Sequence, residues 1–229
     1  MTQILMAAVL FLGTHLGISS TGLRAALTDK LGERGYLGLY SVLALITLSY
    51  LIWIYGELPR FEYVWQPDPN AYLVPKLLMP LAAILLVGGF MVKNPTNVGA
   101  ESLLQNASAD ADLAHGVTRI TRHPFQWAVM LWAIGHLVAN GDTVSIVFFA
   151  TFGILSGLGS VLLDAKKART LGSDWIVYRN QTSNLPFAAI VAGRNRLVAK
   201  ELLLPVLVGL AVYGLMFWGH QWLSGVRII

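Results

Sequence analysis

Apolar runs of about twenty residues recur six times along this chain, and no other feature limits its fold so strongly. A helix rises ~1.5 Å per residue and the hydrocarbon core of a bilayer is about 30 Å thick, so such a run reaches from one face to the other. The runs fall at about residues 3–21, 36–56, 73–92, 124–140, 143–163 and 202–223. In lipid a backbone must satisfy its own hydrogen bonds, which for isolated apolar runs means helices. The chain has 229 residues, 55% hydrophobic and 12% charged, with a mean hydropathy of +0.62, so little is left outside these runs. The expected fold is all-α: a polytopic membrane bundle of about six transmembrane helices, forming a single domain over residues 1–229. The first run carries no basic residue ahead of it and is interrupted by His15. It is therefore read as a retained helix and not as a signal peptide.

Basic residues set the expected orientation, because Lys and Arg concentrate on the cytoplasmic side. Thirteen of the sixteen lie in the first, third and fifth loops, seven of them in the fifth. Arg60 and Arg227 lie on the other side, and Lys76 can snorkel from the end of the third helix. The odd loops, with the long ones at about 93–123 and 164–201, are thus expected in the cytoplasm and both termini in the periplasm. Trp53, Tyr55, Tyr63, Trp65 and Tyr72 around the second loop, with Trp218 and Trp222, mark the opposite interface. The excess of positive charge reads as topology and contact with membrane lipids; nucleic acid is not an expected partner. The absence of cysteine removes disulfides, thiolate metal ligands and thioether-linked haem.

Within the third loop, Asn-Pro and Gly99 precede a weakly amphipathic stretch at Leu103 and Leu104, which suggests a short interfacial helix. Asn140-Gly141-Asp142 is short enough to force the fourth and fifth helices into an antiparallel hairpin. Gly153 with Gly157, and Ser156 with Ser160, give the fifth helix small residues at the spacing that permits close helix packing in lipid. The fifth loop intersperses Asp164, Asp174, Trp175, Tyr178, Arg179 and Pro186, a pattern that suggests a structured cap.

Five histidines could carry chemistry. His115, in a polar loop, and His220, near an interface, are satisfied by solvent. His15, in "FLGTHLGIS", and His136, in "WAIGHLVAN", fall inside expected spans, where ionisable residues are functional candidates. Two readings stay open for the pair: ligation of one metal centre, or hydrogen bonds to backbone carbonyls and to hydroxyls or amides such as Thr14, Ser19 and Asn140. "TRITRHP" opens the fourth helix. Pro124 suits a first helical turn, and Arg119 and Arg122 present guanidinium groups able to hold a carboxylate or phosphate at the rim. Ordinary positive-inside anchoring is the alternative for both.

"NPTNVG", "TRITRHPFQWAVMLWAIGHLVANGD", "DAKKARTLGSDWIVYRNQTSNLPF" and "THLGISSTGLR" together resemble the NnrU family of bacterial inner-membrane proteins, over essentially the whole chain. That family is related to the 15-cis-zeta-carotene isomerases, membrane enzymes with haem b. The resemblance implies His15 and His136 as the axial haem ligands, with Arg122, Arg119 and His123 as cofactor-binding residues at the rim. It also implies a bacterial inner-membrane location. The associated functions are denitrification, with nitric oxide or nitrite enzymes as partners, or cis–trans isomerisation of a hydrophobic small molecule. Where the isomerases carry a cysteine three residues before the second ligand, this chain has Ala133, which puts the isomerase reaction in doubt but not haem binding. A second resemblance is to membrane methyltransferases of the isoprenylcysteine and phospholipid type. It would place S-adenosylmethionine against Arg122, His123, Asp164, Tyr178 and Arg179. Against it, Asp164-Ala165 stands for a paired glutamate, and Gln126 for a tyrosine. A non-catalytic assembly factor is the third expectation.

Overall fold

In a computed structural model of the protein, all residues are described except 20, 67, 98, 105–110, 227 and 229. The described residues form α1 (Thr2–Leu12), α2 (Gly22–Glu57), α3 (Leu73–Met91), α4 (Pro124–Ala139), α5 (Thr143–Leu171), α6 (Ser173–Gln181), α7 (Ala188–Val191) and α8 (Ala199–Ser224). There is no strand among them beyond an isolated bridge between Tyr63 and Asp142. The fold is all-helical, as expected. Four helices, α2, α3, α5 and α8, are long and apolar enough to cross a membrane. The first and fourth expected spans are apolar but shorter, at Thr2–Ile18 and Pro124–Ala139. α4 starts where Pro124 fixes a first turn and stops before Asn140-Gly141, leaving it sixteen residues.

The loops differ most from the expectation. Residues 22–31 are helical, capped by the Thr21 hydroxyl, which accepts from the Leu23 N–H at 3.2 Å. Gly32, at φ 71°, then breaks the helical path within α2, a conformation that side chains with a Cβ resist. α5 continues to Leu171, past its apolar run, and α6 follows after a single glycine. The stretch at Leu103 and Leu104 forms one 3₁₀ turn, Glu101–Leu104.

The chain folds as two compact units. One comprises residues 1–75 and 133–162, the other 76–132 and 163–229. In the first, Ile4, Ala7, Ala8 and Phe11 of α1 are buried, and Tyr55 of α2 stacks on Phe148 of α5 at 4.0 Å. Residues 62–65 close over the α4–α5 turn: Val64 N–H donates to the Gly141 carbonyl at 2.8 Å, and Thr143 N–H to the Glu62 carbonyl at 2.9 Å. A Cβ on Gly141 would stand 1.8 Å from the Trp65 carbonyl oxygen, so this contact requires glycine.

In the second unit, α3 and α8 approach closely. A Cβ at Gly209 would lie 2.6 Å from the Ile84 Cα. Leu85, Val117 and Ala128 form one buried cluster there, and Leu104, Trp175 and Tyr178 form another. This second cluster anchors α6, whose buried Trp175 and Tyr178 lie three residues apart on one helical face.

Candidate functional site

Arg122, His123 and Asp164 form a polar cluster in the second unit. Pro124 ends the freedom of the preceding backbone, and residues 121–123 are pinned on several sides. Arg122 N–H donates to the Ser183 carbonyl at 2.9 Å, the Thr121 hydroxyl to the Asn184 carbonyl at 2.6 Å, and the Thr96 hydroxyl to the Arg122 carbonyl at 2.9 Å. The Arg122 guanidinium then grips Asp164 of α5 with two donors, Nε to Oδ1 at 2.8 Å and Nη2 to Oδ2 at 2.6 Å. His123 Nε2 donates to the same Oδ1 at 2.6 Å. The Arg122 side chain is 8% exposed, that of His123 0%.

The surroundings mix polar and aromatic groups. The ring of Trp175 lies 6.0 Å from the Arg122 guanidinium carbon, and Lys167, one turn beyond Asp164, donates to the Pro95 carbonyl at 3.0 Å. His123 Nδ1, Asn94 Nδ2 and Trp175 Nε1 are buried without a hydrogen-bond partner among the described residues. Burial pushes the His123 imidazolium toward neutrality; Asp164 pulls the other way, while Arg122 and Lys167 reinforce the burial effect. Burial likewise pushes the Tyr178 phenol well above its ordinary range.

Arg119 has its own set of carboxylates. Its Nε donates to Glu201 at 2.8 Å, Nη2 to Asp112 at 2.7 Å and to Glu201 at 3.0 Å, and Nη1 to the Asn195 amide oxygen at 3.0 Å. Pairing with Glu201 is the main reason its guanidinium is held even more firmly protonated than usual. Both arginines therefore hold carboxylates of the protein itself, Asp164 for Arg122 and Asp112 with Glu201 for Arg119.

His15 and His136 lie in the first unit, in aromatic surroundings. His15 sits on a π-helical turn, Gly13–Ile18, which continues α1. Such turns displace side chains from the regular helical register and concentrate at functional positions. Its Nδ1 donates to the Phe11 carbonyl at 2.9 Å, fixing a tautomer in which the Nε2 lone pair is unprotonated. Phe11 lies 4.1 Å from the imidazole centroid and Tyr40 5.9 Å, and the Ser19 hydroxyl donates to the His15 carbonyl. His136 stacks on Phe149 at 4.8 Å, and Asn140 donates to its carbonyl. From Phe11 a run of ring contacts passes through Phe152 and Phe148 to Phe149, with centroids 5.1 to 5.4 Å apart. The two histidines are thus joined within one unit by four phenyl rings.

Among the described residues no group of three or more His, Asp or Glu side chains gathers as a metal site. A haem asks less of the protein, since the macrocycle supplies four nitrogens and the chain only axial ligands. His15 fits that demand: one ring nitrogen is held by a carbonyl, as in most metal-binding histidines, and the other is a lone pair among aromatic rings.

Several contributors escaped the sequence reading. Glu201 sits at the start of an apolar run and Asn94 in a turn, and only the fold brings them to Arg119 and to the Thr96–Arg122 contact. Lys167 looked like one of many loop cations, yet it is 2% exposed. The π turn has no sequence signature beyond a Gly-rich segment with two glycines, Gly13 and Gly17.

Known proteins place the chain more firmly than its geometry does. It is 27% identical over 198 residues to the chloroplastic 15-cis-zeta-carotene isomerase of Arabidopsis thaliana, covering 83% of this chain and 51% of the relative. To the isomerase of Zea mays it is 25% identical over 200 residues, 84% of this chain and 51% of the relative. The chain thus spans about half the length of these curated relatives. No solved structure matches significantly. The family described as NnrU protein matches residues 3–228, nearly the whole chain, and the protein belongs to the NnrU family.

Proposed function

We propose that this NnrU protein is an integral membrane protein of the bacterial inner membrane that binds one haem b through His15 and His136. The observation that carries the reading is the state of His15: its Nδ1 is tied to the Phe11 carbonyl on a π turn, so Nε2 is a lone pair on a ring flanked by Phe11 and Tyr40. His136, stacked on Phe149 in the same unit, is the second ligand. A haem held by these residues would supply an iron centre for electron exchange or for isomerase-like chemistry.

The chain's own residues do the rest. Phe11 and Tyr40 flank the His15 imidazole, while Phe149 limits rotation of His136. The phenyl rings between them exclude water and favour a hydrophobic substrate. Ala133, one turn before His136 and fully buried, offers no sulfur. A haem held here would therefore meet imidazoles, and no thiolate, from this chain. Similarity to the two isomerases favours isomerase-like chemistry on a hydrophobic small molecule, and the family resemblance adds a setting in denitrification.

The test is an absorption spectrum of detergent-purified protein after haem-supplemented expression. A Soret band is expected, strongly reduced in both His15→Ala and His136→Ala; colourless wild-type protein sinks the proposal. A second reading, an S-adenosylmethionine-dependent methyltransferase, draws on one observation: Arg122, His123 and Asp164 meet, with His123 Nδ1 left unpartnered. It requires S-adenosylmethionine to raise the melting temperature of the wild type but not of Arg122→Ala, and no shift at saturating ligand removes it.

A further inference from the structure

The second unit contains a cleft of about 370 Å³ whose lining includes Asp112, Arg119, Gln181, Arg194, Asn195 and Arg196. Its walls are tied in place. The Gln181 amide accepts from the Leu113 N–H at 2.9 Å and donates to the Ala111 carbonyl at 2.7 Å, holding residues 111–113. Arg119 joins Asp112, Asn195 and Glu201 through its four contacts. Arg194 Nη1 donates to the Arg179, Asn180 and Thr182 carbonyls around the end of α6 at 3.3, 2.6 and 3.1 Å.

The charges in this cleft are of two kinds. Arg119 is neutralised by Asp112 and Glu201, but Arg194 and Arg196 meet no carboxylate among the described residues. Arg194 keeps Nε and Nη2 without a partner there, and the Arg196 guanidinium is exposed. Two guanidinium groups without a carboxylate among the described residues, next to a fixed, half-exposed carboxylate on Asp112, suit a ligand with an anion and a donor close together. Arg196 precedes by three residues the start of α8, a helix long and apolar enough to cross a membrane. At no more than ~3.6 Å per residue, the cleft stands close to where that span begins.

We propose that this cleft is a phospholipid headgroup site: the phosphodiester is held by Arg194 and Arg196, and the headgroup's ammonium is directed to Asp112. A volume of this size takes a glycerophosphoethanolamine unit while the acyl chains lie outside along apolar surface. The site does not depend on the haem reading: its anion is held by Arg194 and Arg196, and Arg119, expected at the cofactor, is here taken up by Asp112 and Glu201.

The test uses the full-length protein in detergent, with four probes: dihexanoyl phosphatidylethanolamine, dihexanoyl phosphatidylglycerol, glycerophosphoethanolamine and inorganic phosphate. Saturable binding of the ethanolamine lipid is expected, with its free headgroup and the glycerol lipid weaker and phosphate weakest. Arg196→Ala should weaken it about tenfold, the loss of one charge-assisted contact. Because the Arg196 side chain holds no other group, unfolding without lipid should not change, and Arg196→Lys should recover part of the affinity. Arg34→Ala, an exposed arginine of α2, should leave binding intact. Phosphate binding as tightly as the lipid would assign the cleft to a free anion and overturn the lipid proposal. No saturable binding, or equal losses in Arg34→Ala and Arg196→Ala, would also overturn it.

Discussion

His15 and His123 both stand at shorter apolar helices, and the protein holds them in opposite ways. His123 is sealed from solvent and shares a carboxylate with an arginine, so its neighbours are charges fixed at hydrogen-bond distance. His15 is partly exposed, bonds only the carbonyl one turn earlier in its own helix, and is otherwise surrounded by rings. The first arrangement commits an imidazole to structure through Nε2. The second engages Nδ1, and the haem proposal draws on the other nitrogen. The two imidazoles differ in the partner of each ring nitrogen as well as in their place along the apolar runs.

Breaking the charged arrangement should have the largest consequence. Arg122→Ala removes two donors from Asp164 and leaves a largely buried carboxylate facing only His123, a loss of about 3–5 kcal/mol. Chemical unfolding in detergent should show it, and Arg122→Met with Asp164→Leu should recover much of the deficit, because the charge is then absent. A stability unchanged in Arg122→Ala would mean that the ion pair is solvated. His123→Ala should cost less, about 2–3 kcal/mol, since Asp164 keeps Arg122 and loses a single charge-assisted bond.

How far these regions were legible follows from the range of the forces involved. Helix-forming apolar runs are local, so α3, α5 and α8 begin close to where hydropathy places them, and the Asn140-Gly141-Asp142 turn is where its residues require. Helix extents were less legible. Nothing apolar marks residues 22–31 or the last turn of α5 as helical; a Thr21 cap and the packing of Trp175 and Tyr178 next to it decide those. Arg122 and Asp164 could be singled out as charged groups, but their pairing spans 42 residues of chain and is a property of the fold. The π turn at His15 lies beyond any local pattern, because α and π turns there differ by one residue of register.

The aromatic arrangement should tolerate change far better. In haem-free protein, His15→Ala removes one hydrogen bond to a carbonyl of its own helix and should lower stability by only about 1 kcal/mol. Measured beside His123→Ala under the same conditions, the smaller loss would show that His15 contributes little to stability, as the haem proposal requires. A loss equal to that of His123→Ala would erase the distinction and make His15 a structural residue.

Acid should distinguish the two regions with the smallest effect. Burial depresses the folded-state pKa of His123 below its ordinary value near 6.5, with Asp164 opposing and Arg122 and Lys167 assisting. Below that value the unfolded chain takes up a proton that the folded chain resists, so stability is present above pH 6.5 and declines as pH falls beneath it. His123→Gln keeps an N–H for Asp164 but has no titrating ring. Its unfolding free energy should therefore be flatter between pH 6.5 and 5 than that of the wild type. If the two profiles run parallel, the pull of Asp164 balances burial, and His123 is as free to take a proton as a histidine in water.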